Sequence, residues 1–140
     1  MTTWIIYALL SAFFAALVAI FGKIGLKGID TTFATTLRSI IMAAFLVMTS
    51  LALGKFDFHV SLSGKALTFI ILSGVAGALS WLFYFSALKN GPASGVAALD
   101  RLSVVFVLVL ALFFLGEHFT WKSSIGAFLI AAGAILMVIQ

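Results

Sequence analysis

The chain is poor in the residues that give a soluble protein its surface. Only 9% of its 140 residues are charged, with eight Lys or Arg and four Asp or Glu, whereas a soluble domain carries about 25%. Hydrophobic residues make up 64% of the chain. Because too few polar side chains remain to cover a water-facing surface, the composition predicts an integral membrane protein in contact with the lipid bilayer.

Cysteine is absent, so disulfides and thiolate metal sites are excluded. Proline occurs once. The sequence also lacks paired aspartates, a His-Glu-x-x-His motif and a Ser/His dyad at membrane depth. We therefore predict no enzyme activity, no catalytic residues and no metal or cofactor. The net charge of +4 comes with lysines spaced singly in short loops, so we expect no nucleic-acid partner.

Five segments are long and apolar enough to span a bilayer as helices, which takes about 20 residues each. They cover residues 4–22, 31–53, 66–88, 92–115 and 123–139. Uniformly apolar segments of this length do not make a β-barrel. The sequence therefore predicts an all-α bundle of five transmembrane helices in a single domain, 1–140.

Polar and aromatic residues mark where these helices begin. The predicted first residues or caps of the second, fourth and fifth helices are Asp30, Pro92 and Thr120. The predicted anchors at the membrane interface are Trp4, Tyr7 and Trp121. The longest loop, 54–65, holds Asp57 and His59, which we expect to be solvated.

Three charged residues lie inside predicted spans: Arg38, Asp100 and Arg101. Each costs about 2.5–3.5 kcal/mol at the centre of a membrane, so they must face a partner or water. Arg38 and Asp100 each lie about 12 Å along parallel helices, and this matched depth predicts that they pair. The pair would either hold the bundle together or form a transport site, and charges inside membranes favour the second role.

The third predicted helix carries a polar face at helical spacing, with Trp81 beside it. This face either lines a cavity or packs against another helix. The candidate substrate and coupling residues are Asp100, Arg38, Arg101, Ser103, Ser80, Trp81, Tyr84, Ser73 and Gly77.

The second half of the chain resembles the EamA-type domain of the drug/metabolite transporter superfamily. The matching pieces are ALKNGPAS at 87–94, FLGE at 114–117 and IGAFLIAAGAILMVI at 125–139. Larger members have two such domains and usually a proline early in the fourth helix, where this chain has LDRLSVV. The chain is thus similar to the half-size, five-helix bacterial and archaeal branch. The resemblance implies a transporter that moves a small metabolite across the cytoplasmic (inner) membrane.

An odd number of spans places the two termini on opposite sides of the membrane. Two copies in opposite orientations would reproduce the inverted repeat of many transporters. The loop lysines divide evenly, with Lys55, Lys65 and Lys122 on one side and Lys23, Lys27 and Lys89 on the other. Since this balance gives no orientation signal, we predict an antiparallel homodimer of ten helices. Asp100 would couple transport to protons; the alternative is a non-transporting membrane subunit of a larger complex.

Overall fold

The computed structural model describes residues 3–55, 63–118 and 120–139, so Asp57 and His59 lie outside the described residues. Within these ranges the chain is all α-helical and has no strand. The helices are α1 (Thr3–Gly25), α2 (Thr31–Ala52), α3 (Gly64–Asn90), α4 (Ala93–Asp100), α5 (Ser103–Phe114) and α6 (Trp121–Leu136). This confirms the predicted all-α class.

Among the described residues, four segments have the length and apolarity of a membrane span: α1, α2, α3 and the stretch Ala93–Phe114. The fifth, α6, has 16 residues. Its helical hydrogen bonding continues beyond Leu136, because the Met137 amide donates to Gly133 and the Ile139 amide to Ile135, both at 3.1 Å. The helix α6 itself is about 24 Å long, shorter than the ~30 Å of a bilayer core.

The predicted caps are confirmed for two helices. The Asp30 carboxylate accepts a hydrogen bond of 2.9 Å from the Phe33 amide at the start of α2. The Thr120 hydroxyl accepts one of 3.2 Å from the Ser123 amide at the start of α6. Pro92 precedes α4 as its N-cap, so proline ends the preceding loop and fixes the backbone for the first turn.

The fourth predicted span, 92–115, corresponds to the apolar stretch Ala93–Phe114, but a short break that was not predicted divides this stretch into α4 and α5. The amides of Arg101, Leu102 and Val104 donate to carbonyls three residues back, at 3.1, 2.9 and 3.1 Å. This 3₁₀ pattern separates α4 from α5 at the residues next to Asp100. Neither proline nor glycine occurs between 99 and 105, so the sequence carried no helix-breaking signal there.

The chain divides into two compact units, which are described separately: Met1–Lys23 with Asn90–Gln140, and Ile24–Lys89. In the first unit, α4 and α5 pack on α6. Buried small residues, Ala111, Ala127 and Ala134, lie on these helices. Small side chains let membrane helices approach closely, so packing here depends on residue size.

Gly95 of α4 marks one such close approach. It is buried, and a Cβ at this position would lie 3.3 Å from Pro92 Cγ and 3.7 Å from Val138 Cγ2. In the same unit, Lys23 in the last turn of α1 forms a hydrogen bond with the loop before α4. Its Nζ donates to the Gly91 carbonyl at 2.8 Å.

In the second unit, the start of α2 and the end of α3 lie together. Lys89 Nζ donates to the Ile29 carbonyl at 3.1 Å. Phe85 and Leu88 of α3 and Thr35 of α2 are buried. The hydrogen bond therefore aligns the two helix ends at the same level.

Most large apolar side chains of the described helices point outward, where lipid replaces water as the solvent. The predicted interface anchors Trp4, Tyr7 and Trp121 are 68%, 72% and 81% exposed. Their side chains are therefore available to the headgroup region, which aromatic residues with a polar edge prefer.

We expect Gly95→Leu to destabilise the first unit, because the larger side chain would meet Pro92 and Val138. Overpacking of this kind costs about 1–3 kcal/mol. Thermal unfolding of the purified protein in detergent measures the effect. Gly133→Leu on α6 is the matched control, because a Cβ there meets nothing within 4 Å. Equal melting temperatures for the two variants would contradict the close approach at Gly95.

Candidate functional site

The first half of α2 is rich in hydroxyl side chains that bond to their own helix. Thr35 Oγ1 donates to the Thr31 carbonyl at 2.7 Å, and Ser39 Oγ donates to the Thr35 carbonyl at 2.9 Å. Thr36 makes the same bond to Thr32 at 2.8 Å. These bonds satisfy the hydroxyl donors inside the helix, so this polar segment is compatible with lipid or protein surroundings.

Arg38 lies on the same helix and stacks on an aromatic ring of α3. Its guanidinium carbon, Cζ, is 3.8 Å from the centroid of the Trp81 ring and 5.4 Å from that of Phe85. Indole is the best aromatic partner for a cation, and such a contact contributes about 0.5–2 kcal/mol depending on how dry it is. Trp81 thus provides a partner that accommodates the charge without neutralising it.

Three ring side chains of α3 form what we call the aromatic cluster: Trp81, Tyr84 and Phe85. Trp81 meets Tyr84 edge-on at 5.4 Å between centroids, and Phe85 in a tilted arrangement at 5.8 Å. Tyr84 and Phe85 meet edge-on at 6.1 Å. Edge-to-face contacts of this kind orient rings, so the indole that carries Arg38 is itself held in place.

One nitrogen of Arg38 is not satisfied. Its Nη1 atom is buried and has no hydrogen-bond partner among the residues that the structure describes. A buried donor without an acceptor is costly, and more so when it is charged. The site is therefore incomplete until an acceptor reaches the guanidinium.

The site lies well inside the two apolar helices that carry it. Arg38 is about 12 Å along α2 from its cap, and Trp81 is about 13 Å from the end of α3. The Lys89–Ile29 hydrogen bond holds these two helix ends level. The equal depths explain why the guanidinium meets the indole.

Two oppositely charged residues and a serine lie in sequence at the break in the fourth span. Asp100 is the last residue of α4, Arg101 follows it, and Ser103 begins α5. All three side chains are exposed. Interrupted spanning helices recur in transporter sites, and at this break the amides of Arg101, Leu102 and Val104 are satisfied by 3₁₀ bonds.

The structure brings together three of the predicted site residues: Arg38, Trp81 and Tyr84. On α3, Ser73 and Ser80 are exposed and Gly77 is half-buried. Asp100, Arg101 and Ser103 meet at the break between α4 and α5. The pairing of Arg38 with Asp100 stays a prediction.

Sequence reasoning missed Phe85, which is buried in the aromatic cluster. Its position four residues after Trp81 was an available signal, since residues at this spacing share a helix face. It also missed the structural bonds of Lys23 and Lys89, which were counted solely as orientation charges. Among the described residues, no group of three His, Cys, Asp or Glu could hold a metal ion.

A model of the EamA-like transporter family matches residues 2–139. The chain belongs to this family. An "uncharacterized transporter in cobO 3'region" of Sinorhizobium sp is 41% identical to this EamA-like chain over 137 residues, which is 98% of the chain and 97% of the relative. An uncharacterized protein of Methanocaldococcus jannaschii is 36% identical over 76 residues, or 54% and 56% of the two lengths. No solved structure matches the chain.

The family match confirms the resemblance to the EamA-type domain and covers residues 2–139. The EamA-like chain is a multi-pass membrane protein of a transporter family. The arginine stack on α2 and α3 and the broken fourth span both lie within the matched region.

We expect Arg38 and Trp81 to be energetically coupled. In a double-mutant cycle with Arg38→Met and Trp81→Leu, the two losses of unfolding free energy should be non-additive by about 1–2 kcal/mol. Denaturation of the protein in mixed micelles measures all four corners of the cycle. Arg38→Met with Phe83→Leu is the control cycle, because Phe83 is on the same helix but 72% exposed. Additive losses in the first cycle would show that the stack does not stabilise the fold.

Proposed function

We propose that this chain moves a small metabolite across the cytoplasmic membrane as an antiparallel homodimer, and that Asp100 couples the movement to protons. The observation that carries the proposal is the charged, incompletely satisfied Arg38 at membrane depth, stacked on Trp81. A purely structural arginine would be expected to have its donors satisfied. Membership of a transporter family points the same way.

Asp100 is the natural proton carrier. Of the four acidic residues in the sequence, it alone falls within a predicted span. Arginine does not release its proton in proteins, so neither Arg38 nor Arg101 can take this role. A carboxylate that is alternately protonated, paired with arginine and exchanged for substrate would link proton and substrate movement. The adjacent helix break supplies a point at which α4 and α5 can change their relative angle.

A second copy of the chain would provide room for a central cavity. One thin bundle leaves little room for a central cavity, whereas an inverted pair would enclose one between its copies. The Sinorhizobium relative is matched over 97% of its length, so it too has the length of a single five-span unit. The balanced loop lysines favour insertion in both orientations.

The dual orientation predicts that a C-terminal reporter will be detected on both faces of the membrane. One fusion would carry a reporter active solely in the cytoplasm, and the other a reporter active solely outside it. We expect comparable signals from the two fusions because the loop charges are even. A strong signal from one fusion alone would rule out the antiparallel dimer and leave a parallel dimer or a different partner chain.

The coupling role predicts that Asp100→Asn abolishes proton-driven uptake in a protein that remains folded. The substitution keeps the shape of the side chain and removes its titrating group. Metabolites that raise the melting temperature of the purified protein would be tested for uptake into proteoliposomes with an imposed pH gradient. Asp30→Asn is the matched control, because asparagine also caps helices. Uptake by Asp100→Asn with an unchanged response to pH would refute the mechanism.

Proteoliposomes that contain this chain alone also test the alternative. A non-transporting subunit would give no flux of any metabolite without its partner, whereas the proposed homodimer is complete in itself.

A further inference from the structure

We propose that Arg38 binds the carboxylate of a small organic acid with an apolar body, and that stacking on Trp81 holds the guanidinium ready for it. This inference rests on the proposed transport function and names the substrate class of the same site. It follows from which parts of the guanidinium are occupied and which are not.

Arg38 is half-buried, so part of its guanidinium can be reached by a ligand. Its Cζ lies over the Trp81 ring at 3.8 Å, and its N–H bonds lie in the plane of the group. The two nearest rings do not provide an acceptor, because Trp donates through its single nitrogen and Phe has no polar atom. Accordingly, Nη1 is buried without a hydrogen-bond partner among the described residues. A ligand with acceptor oxygens would complete the site.

The charge and shape of the group favour a carboxylate. A planar carboxylate can accept two parallel hydrogen bonds from one guanidinium. Its single negative charge also balances the single positive charge of Arg38. A doubly charged phosphate would leave one charge unbalanced at hydrocarbon depth, where unpaired charges are strongly disfavoured.

The surroundings favour an apolar body and disfavour a cation. Tyr84 and Phe85 complete the aromatic cluster around Trp81, so the ligand's remaining atoms would meet rings rather than water. Aromatic residues can also bind organic cations through their faces. Here Arg38 already occupies the face of Trp81, and its charge would repel a second cation.

The fluorescence of Trp81 provides a direct measurement. The sequence has three tryptophans, so Trp4→Phe with Trp121→Phe leaves Trp81 as the sole emitter. This protein, in nanodiscs, would be titrated with 3-phenylpropanoate, its neutral amide 3-phenylpropanamide, and the cation 3-phenylpropylammonium. We expect a saturable change in Trp81 emission with the carboxylate. Binding of the amide and the cation should be weaker by about tenfold or more.

Two substitutions test the role of the guanidinium. Arg38→Met removes the charge, and Arg38→Lys keeps the charge but loses the planar fork. We expect Arg38→Met to abolish the response to 3-phenylpropanoate and Arg38→Lys to weaken binding by about tenfold. Lys65→Gln is the matched control, because it removes one positive charge at the opposite end of α3. Its response should equal that of the parent.

The titration is repeated with Asp100→Asn, because an Asp100 carboxylate paired with Arg38 would compete with the ligand for the guanidinium N–H donors. A change in Trp81 emission with 3-phenylpropanoate, in the parent or in Asp100→Asn, supports the inference if Arg38→Met abolishes it. The absence of a response in both overturns it, as does equal binding of acid, amide and cation. The acid–amide comparison needs no change at Arg38, so it stands even if the Arg38 variants fail to fold.

Flux measurements separate this inference from the proposed function. Transport of other metabolites without carboxylate binding would refute the carboxylate site and leave the transporter intact. Arg38-dependent carboxylate binding without flux of any metabolite would support the site and count against transport.

Discussion

The stack of Arg38 on Trp81 is the interaction on which the second unit and its chemistry depend. A guanidinium about 12 Å along a membrane-spanning helix from its cap is costly without a partner. The indole reduces that cost and leaves the charge in place. The aromatic cluster then fixes the indole, and the Lys89–Ile29 bond keeps α2 and α3 at the level where the two groups meet. The aromatic cluster and the Lys89–Ile29 bond therefore fix the position of the Arg38 charge.

The first unit also has charged residues within a membrane span, but their surroundings differ from those of Arg38. Its two charged residues within the fourth span, Asp100 and Arg101, lie where the backbone changes from α to 3₁₀ hydrogen bonding. Packing of α4 and α5 on α6 through small residues holds both sides of this break. The backbone is thus irregular at one point while both flanking helices remain supported.

Much of the fold could be predicted because membrane spans are set by length and apolarity. Asp30 and Thr120 were recognisable as caps because capping depends on one side chain and the adjacent backbone. The break after Asp100 was missed because no proline or glycine accompanies it. The depth of Arg38 follows from counting residues along a helix, but its contact with Trp81 depends on how α2 and α3 are rotated about their axes. Residue spacing within one helix does not determine that rotation.

The separation of Arg38 and Trp81 in the sequence has a consequence for biogenesis. Ribosomal synthesis delivers α2 before α3, so Arg38 reaches the membrane while its aromatic partner is still unmade. Until α3 arrives, a position of the guanidinium near the headgroups or water avoids its insertion penalty of about 2.5–3.5 kcal/mol. This penalty favours insertion of α2 and α3 together, as a hairpin, over insertion of α2 alone.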